Sequence, residues 1–480
     1  MNTKYNEVSG VPEAQLIIDL TQTDLPLNTP VYAYIIGMIK LKHPKYYYVD
    51  KDGTPQLMKT GDNTIAAKTF PGMEGLTPEA QSTIAENYPS KWADYSIPVQ
   101  VGSNLILNLG NISTDTIPGL GTGTLAFSGR IYFSVGVPKL PFAVASNGYT
   151  APVFGNGSGV PGSLTIYDWI EFSYDSEGNF NGNTTQVNQF GFPLILTGTP
   201  VGKEPYAPQG TLNTSRETIL SKIESNNEPF GGDGILLPIS TEAAAAYPDN
   251  IKYYRAISPV TSSGAPANSY YNLINKYFDA DIKKAYTAWQ SIPLVTFDPS
   301  TEYYTGVVFP VSGASITHPS GYPEGSLAFY KGSYSTMADL AEAVKSSSLQ
   351  PEFFLTGSSA NTITSEDIWQ CNNSLASGSA AQKNVGKMIG AAFNRGVAVS
   401  ANGSVLYNLD DNTCANQKES FYPEGTNYNK WAKWFHGYNS NGLAYGFPYD
   451  DVCDQNPSIP PQNKTLKASF IRITLGKFFN

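Results

Sequence analysis

Glu171 is the residue of this sequence whose surroundings are best suited to acid–base chemistry. It stands in an alternating run at 164–174, with Trp169 on its own side of the predicted strand and Ile170 and Phe172 on the other. Apolar neighbours that exclude water favour the protonated form of a carboxyl group, which is the form that a general acid needs. The alternative is a carboxylate on the solvent face of a sheet, and the alternation fits both interpretations.

The elements that must position Glu171 are two strands and the turn between them. Residues 175–182 are rich in Asp, Asn and Gly, which favour chain reversal. Residues 184–190 alternate again and predict the second strand. A hairpin of this kind carries polar side chains of both strands onto one face.

Two motifs in this hairpin resemble glycoside hydrolase family 64. They are Tyr-Asp-Trp-Ile-Glu-Phe at 167–172 and Asn-Thr-Thr-Gln-Val-Asn-Gln-Phe-Gly at 183–191. The family consists of endo-β-1,3-glucanases that release laminaripentaose and are related in fold to thaumatin-like proteins. The resemblance implies that Glu171 is the general acid of an inverting reaction. The family's general-base aspartate corresponds to Asn188, which departs from the family pattern.

The departure at Asn188 leaves three chemical outcomes. An amide cannot take a proton from water at neutral pH, and the loss of a general base costs about 10²–10⁴-fold in rate. Another carboxylate acts as the base, the enzyme is slow, or the fold only binds glucan. Asp168 is expected to point away from Glu171, so Asp175 at the turn is the better substitute base. We expect Glu171 and Asn188 to face one open groove from adjacent antiparallel strands, at the spacing of about 6.5–9.5 Å that inverting glycosidases use.

The resemblance also implies four substrate-binding residues. Ser173 and Thr185 lie close to the two motif positions in the sequence. Asp450 and Asp451 belong to Ala-Tyr-Gly-Phe-Pro-Tyr-Asp-Asp-Val at 444–452, whose family counterpart faces the sugar groove. A solvated acidic turn is the alternative for the two aspartates. Further family-like segments lie at 31–37, 370–372, 391–395 and 429–436, and the least covered part is 41–95.

The sequence predicts an α+β protein of two domains. Residues 1–200 are rich in alternating segments and are predicted to form a β-barrel or sandwich, to which a C-terminal strand within 462–480 returns. The resemblance implies that this domain is thaumatin-like. A linker at 197–205 separates this domain from a mixed α/β domain at 205–455, and together they are expected to form a wide open groove. Helices are predicted at 78–86, 214–223, 269–289, 336–345, 380–395 and 429–435. Among the predicted strands are 31–39, 128–134, 304–311, 405–409 and 468–475.

Composition and charge exclude several classes of partner. Only 15% of the residues are charged, and 30 Lys and Arg stand against 40 Asp and Glu, with no basic run to hold phosphates. We therefore expect no nucleic-acid partner, whereas a neutral β-1,3-glucan suits a weakly acidic, tyrosine-rich surface. No cofactor or metal is expected, because His43, His318 and His436 lack metal-binding spacing. No run is long enough for a transmembrane helix, so no membrane insertion is expected, and the oligomeric state is left undetermined.

The compartment is also left open by the sequence. The resemblance and the composition predict an extracellular protein, yet the first residues, Met-Asn-Thr-Lys-Tyr-Asn-Glu-Val, lack the apolar core of a signal peptide. Export by another route, removal of a leader and retention in the cell are the alternatives. Cys371, Cys414 and Cys453 do not decide between them, since one is left over if two form a disulfide.

Three functions fit these observations. The first is an inverting endo-β-1,3-glucanase with an altered base, and the second is a non-catalytic β-1,3-glucan-binding protein. The third is a structural or assembly protein that reuses the fold, which the missing signal core mildly favours. Incubation with laminarin separates them, because the first releases oligosaccharides, the second retains the polymer without cleaving it and the third does neither.

Overall fold

The structure is a computed structural model. It describes Pro78, Pro152 and residues 14–39, 44–66, 91–112, 126–146, 148–150, 165–226, 235–239, 247–248, 251–259, 274–298, 302–322, 324–357, 361–398, 418–461 and 464–480. The helix predicted at 78–86 (except for Pro78), the strand predicted at 405–409 and Cys414 lie outside the described residues.

The chain divides into two compact units. The first comprises residues 1–266, 434–444 and 456–480, and the second comprises residues 267–433 and 445–455. The boundary therefore follows Pro266, whereas the sequence predicted it at 200–205. The difference arises because the chain beyond residue 205 still adds a helix and three short strands to the first unit.

Strands dominate the described residues, as their alternation and their β-branched and aromatic content predict. In chain order they are β1 (Gln15–Asp19), β2 (Val31–Ile39), β3 (Lys45–Val49), β4 (Pro55–Leu57), β5 (Ile65–Ala66), β6 (Lys91–Trp92), β7 (Ile97–Pro98), β8 (Asn104–Asn108), β9 (Ala126–Val135), β10 (Ala143–Ala145), β11 (Gly148–Thr150), β12 (Ile166–Asp175), β13 (Asn179–Thr184), β14 (Gln189–Phe190), β15 (Leu194–Pro200), β16 (Gln209–Gly210), β17 (Leu236–Pro238), β18 (Tyr253–Ile257), β19 (Leu294–Asp298), β20 (Glu302–Val308), β21 (Leu327–Lys331), β22 (Phe353–Leu355), β23 (Ser458–Ile459) and β24 (Leu466–Leu475).

The described ranges contain six α-helices. They are α1 (Arg216–Glu224), α2 (Asp279–Ala288), α3 (Met337–Ser347), α4 (Ser365–Gln370), α5 (Ala380–Asn394) and α6 (Lys430–Tyr438). The sequence patterns predict α1, α3, α5 and α6 to within a few residues, and they miss α4. Helix α2 is shorter than predicted, because the chain forms turns before Asp279. Ser215 caps α1 by accepting the N–H of Thr218 at 3.1 Å, so the helix begins at Arg216, two residues after the predicted start at residue 214.

One large sheet of 13 strands forms the framework of the first unit and curls into a half barrel. Its main path runs β16-β15-β24-β13-β12-β9-β2-β3-β4. The C-terminal strand β24 lies within this unit, parallel to β1 and antiparallel to β15. Strand β12 therefore has a hydrogen-bonded neighbour on each side, β9 and β13, which fixes the height and direction of its side chains.

The turn after β12 is tighter than predicted. Asp175 Oδ1 accepts the backbone N–H groups of Glu177 at 3.0 Å and Asn179 at 2.8 Å, and Gly178 has a φ of 81°. An aspartate that captures nearby N–H groups stabilises a short reversal, and a glycine takes the positive φ without strain. The second strand therefore begins at Asn179, and the predicted strand at 184–190 is instead a strand end, a bend and the short β14.

Aromatic side chains fill the core on one face of the large sheet. Tyr167 and Trp169 of β12 are buried there beside Tyr132 of β9 and Tyr34 of β2. These residues occupy alternating positions on their strands, so they share a face with Glu171. On this face of β12 the buried aromatic side chains thus end at Trp169, and the polar side chains begin at Glu171.

The second unit is built on the four-stranded antiparallel sheet β19-β20-β21-β22. Val307, Ala328 and Tyr330 of this sheet pack against Leu340 of α3 in a buried cluster. In this unit Cys371 is a free, buried thiol, and Cys453 is disulfide-bonded. Across the described part of both units, no helix is long and apolar enough to cross a membrane.

Candidate active site

Glu171 lies at the centre of a polar row that crosses the large sheet. Its partner on β9 is Arg130, and its partner on β13 is Asn183. The Nε and Nη2 atoms of Arg130 donate to the same oxygen, Oε1 of Glu171, at 3.1 and 3.0 Å. The Oε2 atom accepts no hydrogen bond from the described residues. The carboxyl group is thus held by one oxygen, with the other left for a ligand or water.

The electrostatic setting keeps Arg130 charged. Burial lowers the pKa of its guanidinium, but Tyr132 and Glu171 outweigh burial and the net shift of that pKa is upward. The guanidinium also lies 5.0 Å from the centre of the Trp169 ring. A guanidinium over an aromatic face, with a carboxylate at its edge, is held in orientation by both partners.

A cavity of about 420 Å³ lies over this row. Polar side chains on β9, β12 and β13 line its floor, and three tyrosines contribute to its lining. The polar residues are Ser128, Arg130, Glu171, Ser173, Asn181 and Asn183, and the tyrosines are Tyr46, Tyr132 and Tyr149. An open cavity with convergent polar groups and aromatic sides suits a ligand that carries both hydroxyl groups and an apolar face.

Asn188 does not lie on the strand next to Glu171. That position belongs to Asn183, and Asn188 lies in the bend between β13 and β14. The predicted placement on adjacent antiparallel strands is therefore wrong, because the tight turn at Asp175 shifts the second strand toward the N-terminus. Asn188 is half-buried and is not among the residues that line the cavity.

Hydrogen bonds of Asn188 and of the residue next to it attach the bend to neighbouring strands. The N–H of Ser258 donates to the Asn188 carbonyl at 2.8 Å, and Gln189 Nε2 donates to the Tyr167 carbonyl at 2.8 Å. The backbone of Gly191 packs so closely against β12 that a Cβ atom at this position would lie 2.1 Å from the carbonyl oxygen of Tyr167. These contacts place the bend beside the first half of β12.

Asp168 completes this attachment and has no access to a substrate. Its carboxylate accepts the N–H groups of Trp169 at 2.9 Å and Gly191 at 2.8 Å, and the residue is only 3% exposed. Burial raises the pKa of Asp168 from 3.8 to about 7. Asp168 is thus a buried link between β12 and the Asn188 bend, as its predicted orientation away from Glu171 implies.

The other predicted residues of the first unit separate into two groups. Ser173 lines the cavity, one step along the Glu171 face of β12. Thr185 is buried and accepts the N–H of Val187 at 3.4 Å, which places it inside the bend. Asp175 uses both carboxylate oxygens in the turn, the second accepting Asn179 Nδ2 at 2.9 Å. The structure thus gives Asp175 a structural explanation instead of the proposed role as substitute base.

Sequence reasoning missed the ion-pair partner and most of the cavity floor. Arg130 lies 41 residues before Glu171, Asn181 lies where the sequence predicted a turn, and Asn183 directly follows that turn. The sequence feature that could have pointed to Arg130 is its position as the lone arginine in a predicted strand of small and aromatic residues. Such a residue needs a partner when it is partly buried, but the pattern does not say which one.

Comparison with known families decides what this fold is. The family model described as β-1,3-glucanase, glycoside hydrolase family 64, matches residues 15–468. The chain belongs to glycoside hydrolase family 64. The search of curated proteins gave no significant match to the sequence.

Solved structures from family 64 share the fold at low sequence identity. A laminaripentaose-producing β-1,3-glucanase in complex with laminaritetraose has a TM-score of 0.65 at 17% identity, over 98% of this chain and 99% of that one. A family 64 β-1,3-glucanase domain from Clostridium beijerinckii has a TM-score of 0.63 at 18% identity, over 97% and 98% of the two chains. A laminaripentaose-producing enzyme from Paenibacillus barengoltzii, complexed with laminarihexaose, has a TM-score of 0.53 at 19% identity, over 97% and 75%.

Two predicted substrate-binding residues of this family 64 chain lie in its second unit, and they have different surroundings. Asp450 is fully buried, with Oδ1 at 2.9 Å from Arg395 Nη2 and Oδ2 accepting the N–H of Gly446 at 3.0 Å. The structure gives Asp450 this internal role in place of substrate binding. Asp451 is partly exposed, burial raises its pKa, and its buried Oδ1 has no hydrogen-bond partner among the described residues.

Within the described residues of this family 64 protein, no group of three His, Cys, Asp or Glu side chains could hold a metal ion. The chemistry that the Glu171 cavity can perform with its own residues is proton donation and hydrogen bonding to hydroxyl groups. Among the described residues that line this cavity, Glu171 carries the one carboxyl group, and amide and hydroxyl groups surround it.

Proposed function

We propose that this family 64 protein binds β-1,3-glucan in the Glu171 cavity and hydrolyses it slowly, with Glu171 as the general acid. The observation that carries the proposal is the carboxyl group of Glu171, fixed through Oε1 by Arg130 at the floor of an open polar and aromatic cavity. The β-1,3-glucanase description of the family and the laminari-oligosaccharides named for two solved relatives support the choice of substrate.

The two bonds from Arg130 decide where the acid carries its proton. Oε1 of Glu171 is occupied as an acceptor, so the proton of the acid form resides on Oε2. In the proposed reaction Oε2 donates this proton to the glycosidic oxygen while the bond from that oxygen to the anomeric carbon breaks. Water adds to the anomeric carbon from the opposite face, and one of its protons must be removed.

Removal of that proton is the step at which this chain differs from the family pattern. Asn188 occupies the general-base position implied by the resemblance, and a neutral amide cannot accept a proton from water. The proton then passes to solvent, at a cost of about 10²–10⁴ in rate. We therefore propose an inverting enzyme that is slow relative to one with a carboxylate at this position.

The remaining features of this proposal extend it to the rest of the molecule. Ser173 at the cavity and Asp451 of the second unit are proposed to bind glucan hydroxyl groups, whereas Thr185 is buried inside the bend and supports its backbone. The curled sheet of the first unit is proposed to be of the thaumatin-like type. An extracellular location is proposed because β-1,3-glucan is a polymer too large to enter a cell.

The amide of Asn188 favours a second function, the binding of β-1,3-glucan without hydrolysis. If no other group accepts the proton of the attacking water, the Glu171 cavity serves recognition alone and the protein is a β-1,3-glucan-binding protein. Asp168 is buried and Asp175 is engaged in its turn, so neither provides an obvious replacement base. A structural protein that reuses the fold is the third alternative, and it requires neither binding nor cleavage.

Laminarin separates these functions when wild type and Glu171→Gln are compared. We expect wild type to release oligosaccharides slowly and Glu171→Gln to lose about 10²–10⁴ of that rate while it still binds the polymer. Chromatography of the products and affinity electrophoresis in laminarin gels measure the two properties. Binding without release from wild type supports the binding protein, and the absence of both overturns the glucan assignment.

A further inference from the structure

Two tyrosine rings in contact with each other form one side of the Glu171 cavity. Tyr46 of β3 and Tyr149 of β11 meet edge to face, with ring centres 5.6 Å apart, and both rings line the cavity. Both are half-buried, so part of each ring remains accessible. Tyr46 lies in the segment 41–95, which the sequence resemblance to family 64 covers least.

Tyr46 stands at the end of a second row of side chains that crosses the sheet parallel to the Arg130–Glu171–Asn183 row. The members of this row are direct neighbours on β3, β2, β9, β12 and β13, and they are Tyr46, Met38, Ser128, Ser173 and Asn181. Five strands span about 19 Å at the usual spacing between neighbouring strands. The row is long enough for a few sugar units laid across the strands.

The side chains along this row change in size and polarity from one end to the other. Ser128 and Ser173 are small and keep the floor low in the middle, while Asn181 provides amide groups at one end. Tyr46 and Tyr149 form the opposite end. A β-linked glucosyl ring has equatorial hydroxyl groups around its edge and an apolar face of axial C–H groups. It matches a floor of hydroxyl and amide groups next to an aromatic ring.

We infer that Tyr46 and Tyr149 form a sugar-stacking subsite at the end of the cavity, and that a β-1,3-glucan chain lies across the strands from this subsite toward Asn181. The inference rests on the proposed glucan function and adds to it a direction for the chain and a residue pair that recognises its length. Oligosaccharides long enough to reach from Glu171 to Tyr46 gain affinity from the subsite, and shorter ones do not.

The test measures binding of laminaribiose to laminarihexaose by calorimetry, with Glu171→Gln as the parent so that the ligands are not cleaved. Adding Tyr46→Ala or Tyr149→Ala is expected to weaken binding of the longest oligosaccharides about three- to tenfold, the worth of one aromatic contact. Binding of the shortest ones should be unchanged. Tyr46→Phe keeps the ring and should bind as the parent does.

Tyr48→Ala is the matched control. Tyr48 lies on the same strand and the same face as Tyr46, but it stacks on Tyr95 at 4.2 Å and does not line the cavity. Equal affinities of the parent and of Tyr46→Ala and Tyr149→Ala at every length overturn the subsite while the glucan function stands. A parent that binds no laminari-oligosaccharide overturns both.

A second measurement needs no substitution and therefore does not depend on how the variants fold. Laminarihexaose should slow the nitration of Tyr46 in the wild-type protein by tetranitromethane, as measured by mass spectrometry of the peptide that contains it. Tyr322 of the second unit is 48% exposed and should react at the same rate with and without the sugar. Unprotected Tyr46 at saturating laminarihexaose overturns the subsite.

Discussion

Asn188→Asp should convert this protein into a faster β-1,3-glucanase if the missing base limits its rate. The backbone of the bend is held by Ser258 at the Asn188 carbonyl and by Asp168 at Gly191. These bonds are made by the main chain of the bend and persist after the substitution. Aspartate is nearly isosteric with asparagine, so the new carboxylate should take the place of the amide with little change in folding.

The size of the gain follows from the chemistry and the distance. Gln189 is bonded to the carbonyl of Tyr167, four residues before Glu171 and about 13 Å away along an extended strand. A water between two carboxyl groups requires a separation of approximately 6.5–9.5 Å, so the prediction requires the new carboxylate at position 188 and Glu171 to approach each other across part of this gap. A restored base then contributes about 10²–10⁴ in rate, or about 3–5 kcal/mol of activation free energy.

Reducing-sugar release from laminarin measures the rate, and proton NMR of the first product measures whether the anomeric configuration is inverted. Glu171→Gln in the Asn188→Asp background should abolish the gain. Asn183→Asp is the matched control, because Asn183 pairs directly with Glu171 at a Cβ separation of about 4.5–5.5 Å, too close for the attacking water. An equal gain from Asn183→Asp, or no gain from Asn188→Asp in an enzyme that is already active, refutes the reasoning.

Three further experiments test the supports of the site. Arg130→Met and Glu171→Gln should show a coupling free energy of about 1 kcal/mol in a double-mutant cycle of urea unfolding, because both side chains are about a third exposed (31% and 38%). Additive effects of the two substitutions would show that the ion pair does not stabilise the protein. Folding raises the pKa of Asp168, so its contribution to the free energy of unfolding is full below pH 3.8 and is lost as the pH rises through about 7. Asp168→Asn should flatten that decline, and an unchanged pH profile of stability would contradict the assignment. Asp175→Ala should destabilise the protein by about 1 kcal/mol through the loss of turn hydrogen bonds, with hydrolysis per folded molecule unchanged, whereas a large loss of hydrolysis would make Asp175 the base.

The local patterns predicted the elements of this fold better than their pairing. Alternation predicted β12, and the helical patterns at 214–223, 336–345 and 380–395 predicted α1, α3 and α5. The register of the next strand was wrong, because it depends on a carboxylate that captures N–H groups two and four residues ahead. Composition indicates that such a turn exists, but it does not fix the residue at which the strand resumes.

The site was predictable only where one residue stood out in its own segment. Glu171 is recognisable from its neighbours in the chain, whereas Arg130 becomes its partner only through the pairing of β9 with β12. The adjacent aspartates show the same limit. The carboxylate of Asp450 accepts hydrogen bonds from Arg395 and Gly446, whereas the buried Oδ1 of Asp451 has no hydrogen-bond partner among the described residues. Two identical residues side by side thus differ in what they can offer a ligand, and nothing in the sequence distinguishes them.

The amide at Asn188 and the ion pair at Glu171 act on different steps of the proposed reaction. Arg130 fixes the orientation of the acid, which matters for protonating the leaving oxygen. In the proposed reaction position 188 is assigned to the removal of a proton from the attacking water, and its bend is attached to β12 at Tyr167, four residues before Glu171. A slow enzyme and a pure binding protein therefore share the same ground-state contacts with glucan, and their affinities for it should be alike. Only the rate distinguishes them, which is why a carboxylate at position 188 is the decisive change.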